Sequence, residues 1–483
     1  MKQTYLYKLF LLNIFLLPFT VNGQITFETT FPTTKHESGR DVLQTSDGGF
    51  MIAASNETNL TNDRDIMIFR TDNLGNFLWK KSYGGNLPEY PSGMLKAADG
   101  NYFIVGYSQS FGGGDYDHYL LKVNSAGDSL MEKVYGGWGN EELKEIIATA
   151  DGNYVMVGAS NSVTSSLSNN NIQLIKIDID GNVIWSKNYG DASYESARSV
   201  KLCADGGFVI LGKRVNPSGN SSMFLIKTNS VGDSLWSQIY SGPASLEGKF
   251  VVVNADGSYT MAVDDSSAIS DSDVRIMKVD PTGNVVLWNK LYSGTDKDIT
   301  KMIQTTSDGG YIVTAMSRSF GWNNPDYWIL KLNSLGDTVW AKNFGGSDHE
   351  HCYVVRQTSD GGYIVVGHSR SNPIRTEEIY LIKLNSNGEF GPVGVGVNSL
   401  LANNDVTVYP NPAQGMVTID ITSMYEPESY CMINNALGQL IYTHKVDPAN
   451  LLNTIDMKGN SPGVYYITVR SNNHSVTKKL ILN

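Results

Sequence analysis

The chain has 483 residues, which at about 150 residues per domain suggests roughly three domains. Lys and Arg number 37 against 48 Asp and Glu, a formal net charge of −11, so there is no global electrostatic reason to seek nucleic acid or an anionic membrane. The 41% hydrophobic and 10% aromatic content excludes wholesale disorder, and 48 Gly point to a turn-rich, extended-strand chain.

Residues 1–23 read as a signal peptide. Lys2 and Lys8 give a basic start, Leu9 to Phe19 is apolar, and Val21 and Gly23 suit cleavage before Gln24. The apolar run is too short to cross ~30 Å of hydrocarbon as a helix. No later stretch is long and apolar enough, so a soluble exported protein without a transmembrane segment is expected. Cys203, Cys352 and Cys431 have neither disulfide-framework nor zinc-ligand spacing, and read as buried small apolar residues.

From residue 24 to 390 the chain repeats. An Asp-Gly turn followed by Gly, Asn or Ser and then an aromatic recurs at Asp47, Asp99, Asp151, Asp205, Asp256, Asp308 and Asp360, at intervals of 52, 52, 54, 51, 52 and 52 residues. Each unit reads as four short strands. In the first unit these are Arg40 to Thr45, Phe50 to Ala54, Ile66 to Arg70, and a fourth carrying Trp79 and Tyr83. Gly48 and Gly75 supply the positive φ of tight turns. Sustained 3.6-residue periodicity is missing, so helices are expected to be nearly absent. Twenty residues before each Asp stands a large side chain: Trp79, Met131, Trp185, Trp236, Trp288 and Trp340, and for the first unit Phe27. The seventh unit has three strands and then Phe390-Gly391-Pro392. A leading strand over 25–31 without a unit, and a last unit without its outer strand, predict an all-β fold: a seven-bladed β-propeller of four-stranded blades closed by the N-terminal strand. The varied loops of one face, such as Phe111 to Asp115, Trp138 and Phe320-Gly321-Trp322, are where binding usually resides on a rigid scaffold; their aromatics suit stacking on sugars or peptides and equally suit pinning the loops.

Ten residues before each Asp-Gly turn comes a carboxylate: Glu37, Glu89, Glu141, Glu195, Asp298 and Glu350, while the fifth unit has Leu246 with Glu247 beside it. Three residues further on come Arg40, Lys144, Arg198, Lys249 and Lys301. Closure would bring both sets to the mouth of a central channel. Converging carboxylates suit a hard cation or another ligand; alternating acid and base equally suits a self-neutralising set that ties blades together, and the structural reading leads. A second polar column, Asp65, Asp117, Asn171, Ser222, Asp273, Asp326 and Glu378, suits accepting hydrogen bonds from loop amides. His349, His351 and His368 lie in the last unit, and His36 shares the column of His349 in the first. If closure brings these imidazoles together they form a zinc or copper set; otherwise no cofactor is expected. A nucleophile elbow, a phosphate-cradling glycine loop and a His-Glu-x-x-His motif are all missing.

After a linker at 391–403 come Tyr409-Pro410-Asn411-Pro412, Leu437-Gly438, Gly463 and Tyr465 at the head of a strand, and Lys478-Lys479 near the end. Turns between alternating strands predict a small β-sandwich, Ig-like, over 404–483. These four motifs, in this order, resemble the C-terminal sorting domain of the bacterial type IX secretion system. The resemblance implies passage through the periplasm and outer membrane by that machinery, removal of the tail in the linker by its sortase-like peptidase, and release or attachment at the cell surface. The repeats over 25–390 resemble Asp-Gly-Gly-Tyr and Leu-Trp-x-Lys-x-Tyr-Gly-Gly propeller repeats of exported proteins of the same bacteria, which imply architecture and no defined activity. The expected function is a binding or adhesion scaffold for a glycan or protein; the alternative is an extracellular hydrolase or lyase acting on polysaccharide from the loop face.

Overall fold

The computed structural model describes residues 24–57, 63–162, 170–191, 193–216, 218–266, 272–320, 324–391, 406–421, 430–435, 440–447, 451–470 and 475–483; the signal-peptide residues 1–23, Gly321 and Trp322, and the linker beyond Gly391 lie outside them. All the elements in the described residues are strands.

Up to residue 391 the strands form seven four-stranded antiparallel sheets. The first is an up-and-down run of Glu37–Gln44, Phe50–Glu57, Arg64–Thr71 and Phe77–Tyr83. In the next five sheets the leading strands are Glu89–Lys96, Glu141–Ala148, Tyr194–Leu202, Leu246–Val253 and Asp298–Thr305. The seventh contains Glu350–Gln357, Tyr363–Ser369 and Glu378–Leu384. Its fourth strand is Phe27–Phe31, antiparallel to Glu378–Leu384 with Phe27 opposite Lys383 and Phe31 opposite Ile379.

Burial explains the composition of the strands. Second and third strands such as Tyr363–Ser369 and Asp326–Leu332 are buried along their whole length, because sheets pack on both of their faces, so they read as continuous apolar runs. Fourth strands such as Phe77–Tyr83 alternate between exposed and half-buried. Each core joins two successive sheets. Met51, Ile66 and Ile68 of the first meet Ile104 and Tyr119 of the second; Ile312 and Ile329 of the sixth meet Val365 and Ile382 of the seventh. Val366, Ile379 and Leu381 of the seventh pack with Val42, Ile52 and Met67 of the first. Each such side chain contributes about 1.5–3 kcal/mol of burial.

Two repeated devices hold the turns. The Asp of every Asp-Gly turn pairs with a cation on its own third strand: Arg70, Lys122, Lys176, Lys227, Lys278, Lys331 and Lys383 in order. The second device joins neighbours. Gly127 has φ +78°, and a Cβ there would lie 2.6 Å from the Trp79 ring of the preceding sheet. Tyr135, Tyr189 and Tyr240 each donate a hydroxyl hydrogen bond to the carbonyl of the corresponding glycine in the next sheet, at 2.7, 2.6 and 2.5 Å. Phe27 occupies the Trp position against Gly75 of the first sheet.

Residues 406–483 form two further sheets. One is Thr407–Tyr409, Met416–Asp420 and Leu452–Asp456; the other is Leu440–Lys445, Tyr430–Asn435, Gly463–Arg470 and Ser475–Leu482. Val417, Ile419 and Ile455 of the first share one core with Cys431, Ile433, Ile467 and Leu480 of the second. All three cysteines are buried and free.

Candidate functional site

The column of carboxylates stands at the start of the leading strands, and its members are buried. Glu89 accepts from the Gly85 amide at 2.9 Å and the Ser108 hydroxyl at 2.7 Å. Glu141 does the same with Gly137 and Ser160, both at 3.0 Å. Asp298 takes the Gly294 amide at 3.0 Å and the Ser319 hydroxyl at 2.9 Å. Glu350 takes the Gly346 amide at 2.9 Å and two hydroxyls, Ser369 and Ser371, at 2.6 Å. These four carboxylates therefore clamp the Gly-containing loop that links one sheet to the next, a use that buried acids need to offset desolvation. Glu37 instead takes Lys80 Nζ at 2.6 Å. In Glu195 the group is pushed up to about 7, by burial first and by the charge of Asp191 next. Of the second column, Asp65 is pushed up to about 6 by burial and by Asp63 and Glu89, and Asp117 is raised by burial.

The four histidines are brought only partly together. His351 and His368 stack with ring centres 5.0 Å apart, and burial pushes them down to about 4 and about 3 respectively. His368 Nδ1 shares a hydrogen bond of 2.8 Å with Ser38 Oγ of the first sheet. His36 Nδ1 accepts the Glu377 amide at 3.1 Å. His349 Nδ1 is turned to Asp348 at 2.7 Å. Among the described residues, no group of three or more His, Cys, Asp or Glu side chains is placed to hold a metal ion.

All seven leading strands line a single cavity of about 360 Å³. Its walls are mostly apolar, with Leu43, Met94, Ile146, Leu202, Val252, Ile303 and Val354 each from a different sheet. Two acids in it are spoken for. Asp41 holds the Arg356 guanidinium of the seventh sheet at 2.9 Å and accepts the Met94 amide of the second at 2.8 Å. Glu145 accepts the Val200 amide of the fourth sheet at 2.7 Å and pairs with Lys201. These two staples were not among the residues singled out from sequence, although Asp41 and Glu145 occupy one repeat position, 104 residues apart.

The loop aromatics divide. Phe111 stacks on Tyr119 at 5.9 Å and Phe320 packs on Trp328 at 4.8 Å, so both pin their loops. Trp138 is 86% exposed.

In the tail, Asn411 joins two of the sequence motifs. Its amide donates to the Lys479 carbonyl at 2.7 Å and its carbonyl oxygen accepts the Ile481 amide at 2.9 Å. Pro410 and Pro412 flank it, each after a cis peptide bond. Tyr465 is buried and donates to the Ser461 carbonyl at 2.7 Å, four residues away in the turn before Gly463. Tyr409 is 47% exposed, Lys479 is exposed and Lys478 is half-buried. Leu437 and Gly438 lie outside the described residues.

Residues 407–483 match the family of secretion system C-terminal sorting domains. The chain thus carries a sorting tail, which implies export and handling by the type IX machinery. No functionally curated protein matches the chain. Among solved structures, a protein of unknown function from Dyadobacter fermentans aligns over 75% of this chain and 98% of its own at 11% identity, with a TM-score of 0.45. Puromycin hydrolase aligns over 80% of this chain at 12% identity and a TM-score of 0.48, with 58% of the hydrolase covered. The β-propeller domain of the Trilobed protease from Pyrococcus furiosus aligns over 78% of this chain and 99% of its own at 9% identity, with a TM-score of 0.41. At such scores the resemblances assign neither ligand nor activity to this chain. Among the described residues no helix is long and apolar enough to cross a membrane.

Proposed function

We propose that residues 24–390 close into a seven-bladed β-propeller that the type IX route delivers outside the cell, where it is a non-enzymatic binding or adhesion scaffold. Residues 1–23 direct the first membrane crossing, 404–483 fold as a β-sandwich that the export machinery reads, and the 391–403 linker is cut when cargo is released or attached to the surface. The observation that carries the export reading is the sorting-domain match at 407–483. Closure is supported by the pairing of Phe27–Phe31 with Glu378–Leu384. It is also supported by the meeting of the two ends of the array, where the Gly391 amide donates to Thr26 Oγ1 at 2.7 Å. The scaffold reading is supported by the use made of the buried acids: the carboxylates that a sequence reading offers for chemistry hold loops in place, leaving varied loops on a rigid frame.

The test is fractionation of a host that possesses the type IX machinery. The full chain is expected on the surface or in the medium, shortened by its tail, whereas a chain lacking 404–483 is expected to stop in the periplasm. Equal surface delivery of the two would refute the assignment.

A further inference from the structure

We propose that the end of the central cavity nearer the start of the leading strands is a binding site for an acidic saccharide, whose sulfate or carboxylate groups are held by a collar of Arg and Lys. The inference rests on the scaffold reading and gives that scaffold a site and a ligand class.

The collar is built by a repeated backbone irregularity. Each leading strand slips register against its second strand at one residue, between Gly39 and Asp41 in the first sheet and at the equivalent place in the other six. A bulge of this kind leaves its extra residue unpaired and re-aims the side chain. The seven extra residues are Arg40, Lys144, Arg198, Lys249 and Lys301, with Ser92 and Tyr353 in the remaining two sheets. Five cations therefore stand at one level of the channel, each from a different sheet.

Their contacts show that they converge. The Arg40 guanidinium lies 4.3 Å from the centre of the Tyr353 ring, and the Lys301 ammonium lies 5.9 Å from the same ring. Arg198 and Lys249 reach the same carboxylate, Glu247, at 3.3 and 3.0 Å. Lys144 lines the cavity itself. Burial lowers Lys144, and the like charges of Arg198 and Arg40 oppose its proton further.

The charges do not balance locally. Glu142 pairs with Lys144, and Glu247 and Asp264 with Lys249, so three carboxylates face five cations; Lys213 adds a further cation 3.4 Å from Glu247. Among the described residues no ion pair within 4 Å is formed by Arg40 or Lys301; both face the Tyr353 ring, and Lys301 also feels the charge of Asp264, already paired with Lys249. In a chain with a net charge of −11, an excess of cations at one recess inverts the global field. A recess lined by one sign concentrates the opposite ion, and partly buried cations gain most from an anion that supplies the missing charge.

Aromatic rings beside the collar, toward the start of the leading strands, favour a saccharide over a bare ion. Tyr107 faces the Lys144 ammonium at 5.0 Å, stacks on Tyr90 and meets Tyr116 edge-on. Tyr194, 37% exposed, lies close enough to Arg198 for that charge to act on its hydroxyl. Rings interleaved with cations match a ligand that has apolar ring faces and anionic substituents.

The experiment is calorimetric titration of the mature chain at constant ionic strength. The probes are a sulfated oligosaccharide, a uronate oligosaccharide, a neutral oligosaccharide of equal length, sodium sulfate and a Glu-rich peptide. At least one acidic oligosaccharide is expected to bind, displaced by sulfate, with the stronger of the two naming the anionic group. The Arg40→Gln/Lys301→Gln double variant is expected to lose at least tenfold in affinity with its melting temperature kept. Ser92→Glu, which adds an acid at the same level, should weaken binding likewise and serves if the double variant fails to fold. Failure of both acidic oligosaccharides to bind, unchanged affinity in the variants, or binding of the peptide alone would overturn the proposal. A neutral oligosaccharide that binds the wild type and the variants equally would overturn the collar while leaving the scaffold reading intact.

Discussion

Glu195 differs from its equivalents by two neighbours: four residues upstream it has Asp191 where Glu89, Glu141 and Glu350 have the glycine whose amide they accept, and the second is on the next strand. Glu89, Glu141 and Glu350 each accept a serine hydroxyl 19 residues downstream; at that spacing the fourth sheet has Arg214, whose Nε lies 3.4 Å away. The side chain is fully buried, and burial together with Asp191 pushes it up to about 7. The folded state therefore holds the proton more tightly than the unfolded chain, so the stability this group contributes is present below about pH 4.5 and is lost as pH rises through 7. Replacement by the neutral Glu195→Gln should raise the melting temperature at pH 8 by roughly 2–4 °C and change it little at pH 5. Scanning calorimetry at both pH values checks this, and an equal shift at both would remove the titration argument. The carboxylate column itself was legible from its spacing. What the column does was not, because the serine and glycine partners come from a second strand and from the loop between sheets.

At the scale of the element, the hairpin between the first two strands is fastened by an ion pair with unequal ends. Lys331 is 4% exposed and its ammonium contacts Asp308 at 2.8 Å and the Leu332 carbonyl at 3.0 Å, whereas Asp308 is 61% exposed. Removing the acid strands a buried charge; removing the base leaves a carboxylate that water can solvate. Asp308→Ala should therefore destabilise by roughly 1–3 kcal/mol and by more than Lys331→Met. Melting temperatures of the two variants decide it, and the reverse order would show that the pair is not what secures the turn. The period of the turn aspartates was plain in the sequence. Their cations stood in it as well, 22 to 25 residues downstream, but an ion pair across a whole hairpin leaves no local pattern.

For the whole molecule, the strand Phe27–Phe31 joins the two ends of the array, with Phe27 opposite Lys383 and Phe31 opposite Ile379. Its partner Glu378–Leu384 is buried along its whole length, and Gln24 accepts the Ser386 amide at 3.0 Å. Without residues 24–31 that partner becomes an unprotected edge of apolar residues, a template for pairing with other chains. The shortened mature chain should lose its monomer peak in size-exclusion chromatography and melt at lower temperature. A stable monomer with unchanged melting would show that the leading strand is dispensable and would weaken the closed-ring reading.

Local physical chemistry made most of the strands readable from the amino-acid order. Glycines at positive φ, apolar runs where both strand faces are covered, and alternation where only one is covered are properties of neighbouring residues. The tail was legible for a related reason, since its motifs mark turns and strand starts in a short domain. The five cations Arg40, Lys144, Arg198, Lys249 and Lys301 already formed one column in the sequence; that each is the extra residue of a bulge, and that Arg40 and Lys301 turn to one Tyr353 ring, came only from the tertiary structure. A bulge exists only relative to the strand it pairs with, so which residue is left over and where it points follow from register and not from composition. The histidines make the same point from the other side: the four that the sequence grouped resolved into a stacked pair, His351 and His368, while the two that share a column, His36 and His349, are committed to other partners, because a single backbone hydrogen bond or a nearby carboxylate is enough to turn an imidazole away.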